Sequence, residues 1–362
     1  MTDKNQINVN DKIFEKLTKL KNAMGSKDKD WNNWFDDLIT EIKDDTTSTI
    51  ELIFKKNVYE KFYDVWIQNF ASNLNNIWND HSVRELSLNN TTANGMPSIV
   101  IGRGPSLFEK NHLKILSESR FDGNIICTDG VLIKALESGV TPEKFKNFYV
   151  VTIDAQDHIK EFYNDDIVSR YGNKINCIFS STISPETYNV AKNNKMKIFW
   201  LHALFDYNKT KTSFNYMANI MTKTYNHEKG LPAIQTGGNV GTSSWMIAWS
   251  ILKSPTIVLL GIDHGYPDTM SWDEIDKYHK IPSDVDKTSK SFKNAYPTIY
   301  NPDFDCYCKQ DPIFQYYSKA LIEFIPRAPS WVNTINATGG GSIFGPGITC
   351  MNFKKYLEKN NF

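Results

Sequence analysis

From Ser98 onward the chain repeats one pattern, a short apolar run rich in β-branched residues followed by a stretch with helical spacing. The runs are SIVIG (98–102), NIICTD (124–129), FYVVTID (148–154), NCIFSS (176–181), KIFW (197–200) and TIVLLGID (256–263). Apolar runs of this length, bounded by turn formers, are what a sheet covered on both faces requires. Because helices separate them, the strands are expected to run parallel, giving an α/β domain built on a doubly wound, mostly parallel sheet. Ligands of such sheets bind beyond the carboxyl ends of the strands.

The first part of the chain reads differently. Trp31, Trp34, Phe35, Leu38, Ile39 and Ile42 recur at helical spacing, as do Tyr59, Phe62, Tyr63, Trp66, Phe70 and Leu74. SLNNTTANGMP (87–97) is a run of turn formers and marks a boundary. The expected division is an all-helical region over 1–95 and the α/β domain over 96–362. Residues 265–312 are polar, proline-dotted and irregular, too long for an ordinary connection, and read as a lid-like insertion. After it come a helix at about 313–325, a strand around WVNTIN, a glycine-rich loop and a short closing helix.

The 362 residues are ample for one large domain or two smaller ones. Forty-one Lys and Arg balance 41 Asp and Glu, so no global field points to nucleic acid or an anionic membrane, and any anion site must be local. Five scattered cysteines fit a reducing compartment better than a disulfide framework. Cys306 and Cys308 form a C-x-C pair with no second pair at zinc spacing. The first residues lack the apolar core of a signal peptide, and no stretch approaches a membrane span, so a cytoplasmic protein is expected.

Chemistry-bearing residues fall at the ends of the runs. Gly102, Arg103, Gly104, Pro105 and Ser106 follow the first, and Ser106 with Glu109 spells the S-x-x-E capping box of a helix start. The glycines allow close backbone approach, and free amides at a helix start suit an anion. The motif is neither a P-loop nor G-x-G-x-x-G. Gly237, Gly238, Asn239 and Gly241, followed by Thr242 and Ser243, repeat this grammar before a second helix, where phosphate binding competes with simple tight packing. Asp129, Asp154 and Asp263 close three runs, placed to hold Mg²⁺ or a ribose hydroxyl, or to cap a helix. His264 beside Asp263 supplies an acid/base pair provided that the strand has ended there.

These motifs, IVIGRGPSL, CTDGVLIKALESGVTPEKFKNFYVVTID, GGNVGTSSWMIAWSILKSPTIVLLGIDHGY and TINATGGG…GPGI, together resemble the archaeal 6-hydroxymethylpterin diphosphokinase family, the MptE-like domain. That domain is also the central module of bacterial motility accessory factors, which look like glycosyltransferases. The resemblance runs from about Ser98 to about Ile348. It implies a Rossmann-like fold and a nucleotide-dependent transferase, with ATP and Mg²⁺ acting on a pterin or a nucleotide-activated nonulosonic sugar acting on a glycan. By this resemblance Gly102, Gly104, Pro105, Ser106, Asp129, Gly237, Gly238, Asn239 and Gly241 belong to the nucleotide site, with Arg103, Thr242 and Ser243 added from the residue reading. Asp154 and Asp263 are the expected metal ligands, and Asp263 and His264 the expected catalytic residues. His264 departs from the apolar residue usual at that place. The partners expected are a small-molecule nucleotide donor and a hydroxyl-bearing acceptor, without nucleic acid or membrane; a homo-oligomer is compatible with the sequence.

Overall fold

The computed structural model describes residues 61–88, 95–206, 210–224, 227–277 and 286–362, with the single positions 30 and 281. The aromatic stripe at Trp31 to Ile42 and most of the expected helical region lie outside the described residues. The chain divides into two units, Met1–Asn57 and Val58–Phe362, and the described fold is that of the second. A helix over 61–79 opens it, assigned by the sequence to the N-terminal region but packed here in the α/β body through buried Phe70 and Ile77.

The strands are β1 (His81–Ser82), β2 (Ser98–Ile101), β3 (Asn124–Thr128), β4 (Asn147–Thr152), β5 (Asn176–Ser180), β6 (Lys197–Ala203), β7 (Ala233–Ile234), β8 (Thr256–Leu260), β9 (Tyr266–Pro267), β10 (Thr298–Asn301), β11 (Cys306–Lys309), β12 (Asn333–Asn336) and β13 (Ile348–Cys350). The main sheet has the order β1-β6-β5-β4-β3-β2-β8-β12-β13, with β7 joined to β6, and every pair is parallel. The six apolar runs became β2 to β6 and β8.

Alternation along the strands explains why both faces are covered. Ile99 and Ile101 of β2, Ile125 and Cys127 of β3, and Phe148 and Val150 of β4 enter one core. Val100, Ile126, Tyr149 and Val151 enter the other. Successive side chains of a strand point to opposite faces, so an unbroken apolar run needs helices on both. Leu107, Leu113 and Leu116, Tyr188 and Ala191, and Phe353 and Leu357 close the first face. Trp245, Ile247 and Ala248 of the helix Val240–Ser250 close the second, with Leu321 from the helix Pro312–Phe324.

Strand order turns around at one place. The chain winds outward from β2 through β3, β4 and β5 to β6, then returns to lay β8 on the other side of β2. Connections that leave in opposite directions from β2 and β8 open a crevice above their carboxyl ends, the general ligand position in such sheets.

The described residues of the segment expected to be irregular form regular elements. β9, β10 and β11 form a separate antiparallel sheet in the order β10-β11-β9, and Trp272, Ile281, Phe292 and Tyr296 build a small core beside it. Two short helices, Trp272–Ile275 and Lys290–Ala295, carry serine caps at Ser271 and Ser289. The proline-dotted, polar sequence hid these elements because each is only a few residues long.

Candidate functional site at the β2–β8 switch

The first glycine turn extends the β2–β8 pairing past both strands. Gly102 donates its amide to the Leu260 carbonyl (2.8 Å) and Gly104 to that of Gly261 (2.9 Å). A Cβ on Gly104 would overlap the Asp263 carboxylate, so glycine is required for the approach. The capping box read from the sequence does not form. Pro105 precedes the helix Ser106–Glu109, and no side chain at that cap position bonds to it. Ser106 Oγ instead donates to Asp263 Oδ2 at 2.9 Å, and the Ser106 amide bonds to the same residue. A carboxylate 157 positions away has taken over the capping.

Asp263 is 6 % exposed, and burial pushes its carboxyl up to about 7, against the opposing pull of the Ser106 hydroxyl and amide. Its carbonyl accepts the Ser342 amide at 2.9 Å from the glycine-rich loop after β12. Asp263 thereby ties together the turns at 102–106, 261–265 and 339–342. His264 follows at φ 44°, beyond the end of β8. Its ring stacks on Phe314 (6.4 Å between centroids) and lies 6.0 Å from Tyr317, with Nδ1 buried and unpaired. Burial pushes this imidazole down to about 3, so it is neutral at physiological pH and a weak base.

The second glycine turn abuts the first across Ile262. A Cβ on Gly102 or on Gly241 would meet the same Ile262 Cδ1. Asn239 caps the helix Val240–Ser250, its Oδ1 accepting the Thr242 amide at 2.8 Å and its Nδ2 donating to Thr242 Oγ1 at 2.9 Å. Ser243 Oγ donates to the Asn239 carbonyl (2.8 Å). Thr242 and Ser243, read as ligand-facing hydroxyls, are thus bound to their own helix. The amides of Val240 and Gly241 have no acceptor among the described residues. Gly237 (φ 58°) and Gly238 (φ 81°) shape the turn, and Gly238 lies against Tyr316 and Tyr317.

Arg103 projects from the first turn over Gly130, where a Cβ would come within 3.2 Å of its Nη1, and its guanidinium lies 5.6 Å from the Phe162 ring. Asp129, one residue beyond β3, accepts the Gly130 amide on Oδ1 at 2.7 Å. Its Oδ2 is buried and makes no hydrogen bond of good geometry, the nearby Thr152 hydroxyl being bonded to Tyr163 Oη at 2.7 Å. Burial pushes Asp129 up to about 6; the Gly130 amide and the Thr152 hydroxyl oppose this, Asp154 adds to it, and Arg103 opposes it. Asp154 is exposed and holds the Gln156 amide at 3.0 Å. The structure therefore groups Asp154 with Asp129 and Arg103, and Asp263 with Ser106. Among the described residues no three His, Cys, Asp or Glu side chains cluster as a metal cage.

Phe162, Tyr316 and Tyr317 escaped the sequence reading, which saw QYYSK only as helix. The available signal was Asp311-Pro312, whose carboxylate caps Phe314 at 2.7 Å and so marks where the chain re-enters the crevice.

No curated protein matches the chain. Among solved structures, the MAf glycosyltransferase from Magnetospirillum magneticum AMB-1 is similar with a TM-score of 0.48 and 13% identity, over 75% of this chain and 37% of that one. This chain thus spans little more than a third of that protein's length. The family model described as 6-hydroxymethylpterin diphosphokinase MptE-like matches residues 68–269, beginning inside the helix 61–79 and ending after β9. The match starts earlier than the resemblance seen in the motifs and stops before the glycine-rich loop. Covering more than half of the 362 residues, it shows that the chain belongs to the 6-hydroxymethylpterin diphosphokinase MptE-like family.

Proposed function

We propose that the chain is a nucleotide-dependent transferase that moves a diphosphate from ATP to the hydroxymethyl group of a 6-hydroxymethylpterin-type acceptor. The observation that carries this reading is the grouping of Arg103, Asp129 with its buried Oδ2, and Asp154 at the carboxyl ends of adjacent strands; a second helix start, where the Val240 and Gly241 amides have no acceptor among the described residues, supports it. A guanidinium and helix-start amides suit phosphate oxygens. Two carboxylates, one with a buried oxygen in no hydrogen bond of good geometry, suit Mg²⁺ shared with a donor phosphate, since that ion is usually held by one or two carboxylates plus substrate rather than by a protein cage. Bound there, Mg²⁺ would neutralise charge on the donor phosphates.

In this reaction the acceptor oxygen forms a bond to the β-phosphorus, the bond to the α-phosphate oxygen breaks with AMP leaving, and the hydroxyl proton passes to solvent. Transfer of this kind depends on positioning and charge more than on a strong base. A glycosyl transfer would call on His264 as base, and an imidazole pushed down to about 3 favours the phosphoryl reading over it.

The test measures turnover of ATP with 6-hydroxymethyl-dihydropterin and, separately, of a CMP-activated nonulosonic sugar with a glycan acceptor. Diphosphate transfer is expected, with Arg103→Ala and Asp129→Asn each lowering the rate on the order of 10²-fold or more. Turnover of the sugar donor with no activity on the pterin overturns the reading in favour of a glycosyltransferase. Nucleotide binding with neither activity would instead indicate a binding module.

A further inference from the structure

Half of the ten large apolar side chains exposed among the described residues, Trp78, Tyr216, Met217, Ile220 and Met221, belong to neither crevice motif. The helix Phe214–Met221, FNYMANIM, contains no charged residue. Phe214 and Ala218 point into the core, while Tyr216, Met217, Ile220 and Met221 are each 42–49 % exposed. At 3.6 residues per turn these four share an arc of about 140°. Trp78, itself 38 % exposed, extends the patch, its indole Nε1 donating to the Met221 carbonyl at 2.9 Å. A contiguous apolar surface of this kind marks an interaction site.

The charges around it say what covers it. Lys211 precedes the helix and Lys223 follows it, both exposed, and Lys229 lies in the turn whose Gly230 abuts Asn219 of the helix. Asp80 and Glu85, the acids near Trp78, are already engaged by Lys192 (2.6 Å) and His81 (2.6 Å), which leaves Glu228 as the exposed acid beside Lys229. A second copy of the chain is a poor fit. An antiparallel pairing of the helix with itself would set Lys211 of one copy against Lys223 of the other at both ends, and a parallel pairing would set like against like. An anionic bilayer accepts both features at once, because apolar side chains enter the acyl boundary while flanking lysines reach the headgroups.

We infer that the helix Phe214–Met221 is a peripheral docking surface for anionic membranes. The chain would lie on the bilayer rather than cross it, in keeping with the absence, among the described residues, of any helix long and apolar enough to span one. The inference replaces the expectation of no membrane partner and does not rest on the proposed transferase activity.

The experiment is sedimentation of the full chain with vesicles of phosphatidylcholine alone or mixed with phosphatidylglycerol, at low and raised salt. Binding to the mixed vesicles is expected, weakened by salt and much lower on neutral ones. Met217→Ser/Ile220→Ser should lower partitioning about tenfold or more, and Lys211→Glu/Lys223→Glu should do so by a similar factor. All four positions are solvent-facing, so both variants should keep the wild-type melting temperature and nucleotide affinity. Failure to bind mixed vesicles, equal binding to neutral ones, or unchanged partitioning of the folded variants overturns the inference. So does a wild-type dimer that Met217→Ser/Ile220→Ser converts to a monomer without any vesicle binding, which would assign the patch to a second copy.

Discussion

Asp263 separates a positioning role from a catalytic one at the scale of a single side chain. Its Oδ2 accepts the Ser106 hydroxyl and overlies the space that a Gly104 Cβ would fill, so it braces the first glycine turn. Asn keeps an acceptor oxygen for Ser106, whereas Ala leaves a buried hydroxyl and amide without a partner. Asp263→Asn should therefore hold nucleotide affinity within about threefold, while Asp263→Ala should cost about 1–3 kcal/mol of stability and weaken nucleotide binding. Calorimetry and nucleotide titration check both; abolished turnover in a well-folded Asp263→Asn variant with normal affinity would return the residue to catalysis. The sign of its pH effect follows from a carboxyl raised from 3.8 to about 7 on folding. Between those values the folded state binds the extra proton, so its contribution to stability falls as pH rises through that window. His264 and His112, pushed down to about 3 and about 4, act with the opposite sign over the same window, so the check is the difference between proteins. The melting temperature of Asp263→Asn relative to wild type should rise from about pH 4 to about pH 7. Asp129, raised to about 6, acts in the same direction as Asp263 over a narrower range.

At the scale of elements, legibility tracked how local each determinant was. The six apolar runs were readable because a strand buried on both faces leaves a continuous signature, and the helix Val240–Ser250 was readable from Asn239 three positions before Thr242. Ser106 misled because S-x-x-E is a local rule, and the group that won, Asp263, arrives from another strand. Likewise the pairing of Asp129 with Asp154 depends on β3 and β4 being neighbours, which strand content alone does not specify. The three-stranded sheet within 265–312 was hidden for a different reason: its short strands alternate exposed Tyr300 and Tyr307 with inward Cys308, too brief a pattern to stand out among prolines. The helix cap offers a test at this scale. Asn239→Ala should destabilise the fold by about 1 kcal/mol, the usual value of such a cap. Because it also frees the Thr242 amide beside those of Val240 and Gly241, nucleotide affinity should change with it. Stability loss with unaltered affinity would separate this helix start from the proposed phosphate site.

The whole molecule raises the question of where its independently stable part begins. The turn-rich segment 87–97 is the obvious place to cut, and it is the wrong place energetically. Phe70 and Ile77 are buried in the core that Ile99, Cys127 and Trp200 also line. Asn69 Nδ2 donates to the carbonyls of Ala155 and Thr182, both at 3.0 Å, and Asn73 Nδ2 to that of Ile183 at 2.8 Å, so the helix 61–79 satisfies carbonyls at the ends of β4 and β5. β1 then pairs in parallel with β6 and covers an edge that would otherwise stand open. A chain starting at residue 58, where the second unit begins, keeps all of these contacts. One starting at 96 loses Phe70 and Ile77 from one core and Val83 and Leu86 from the other, the larger of them each worth on the order of 3 kcal/mol, against a total stability of only about 5–15 kcal/mol. Residues 58–362 should therefore unfold cooperatively near the temperature of the full chain and retain its nucleotide affinity. Residues 96–362 should be aggregated or molten, with weak near-ultraviolet circular dichroism. A well-folded 96–362 fragment that still binds nucleotide would show that the sequence boundary is also the physical one, and that the helix 61–79 merely decorates the sheet.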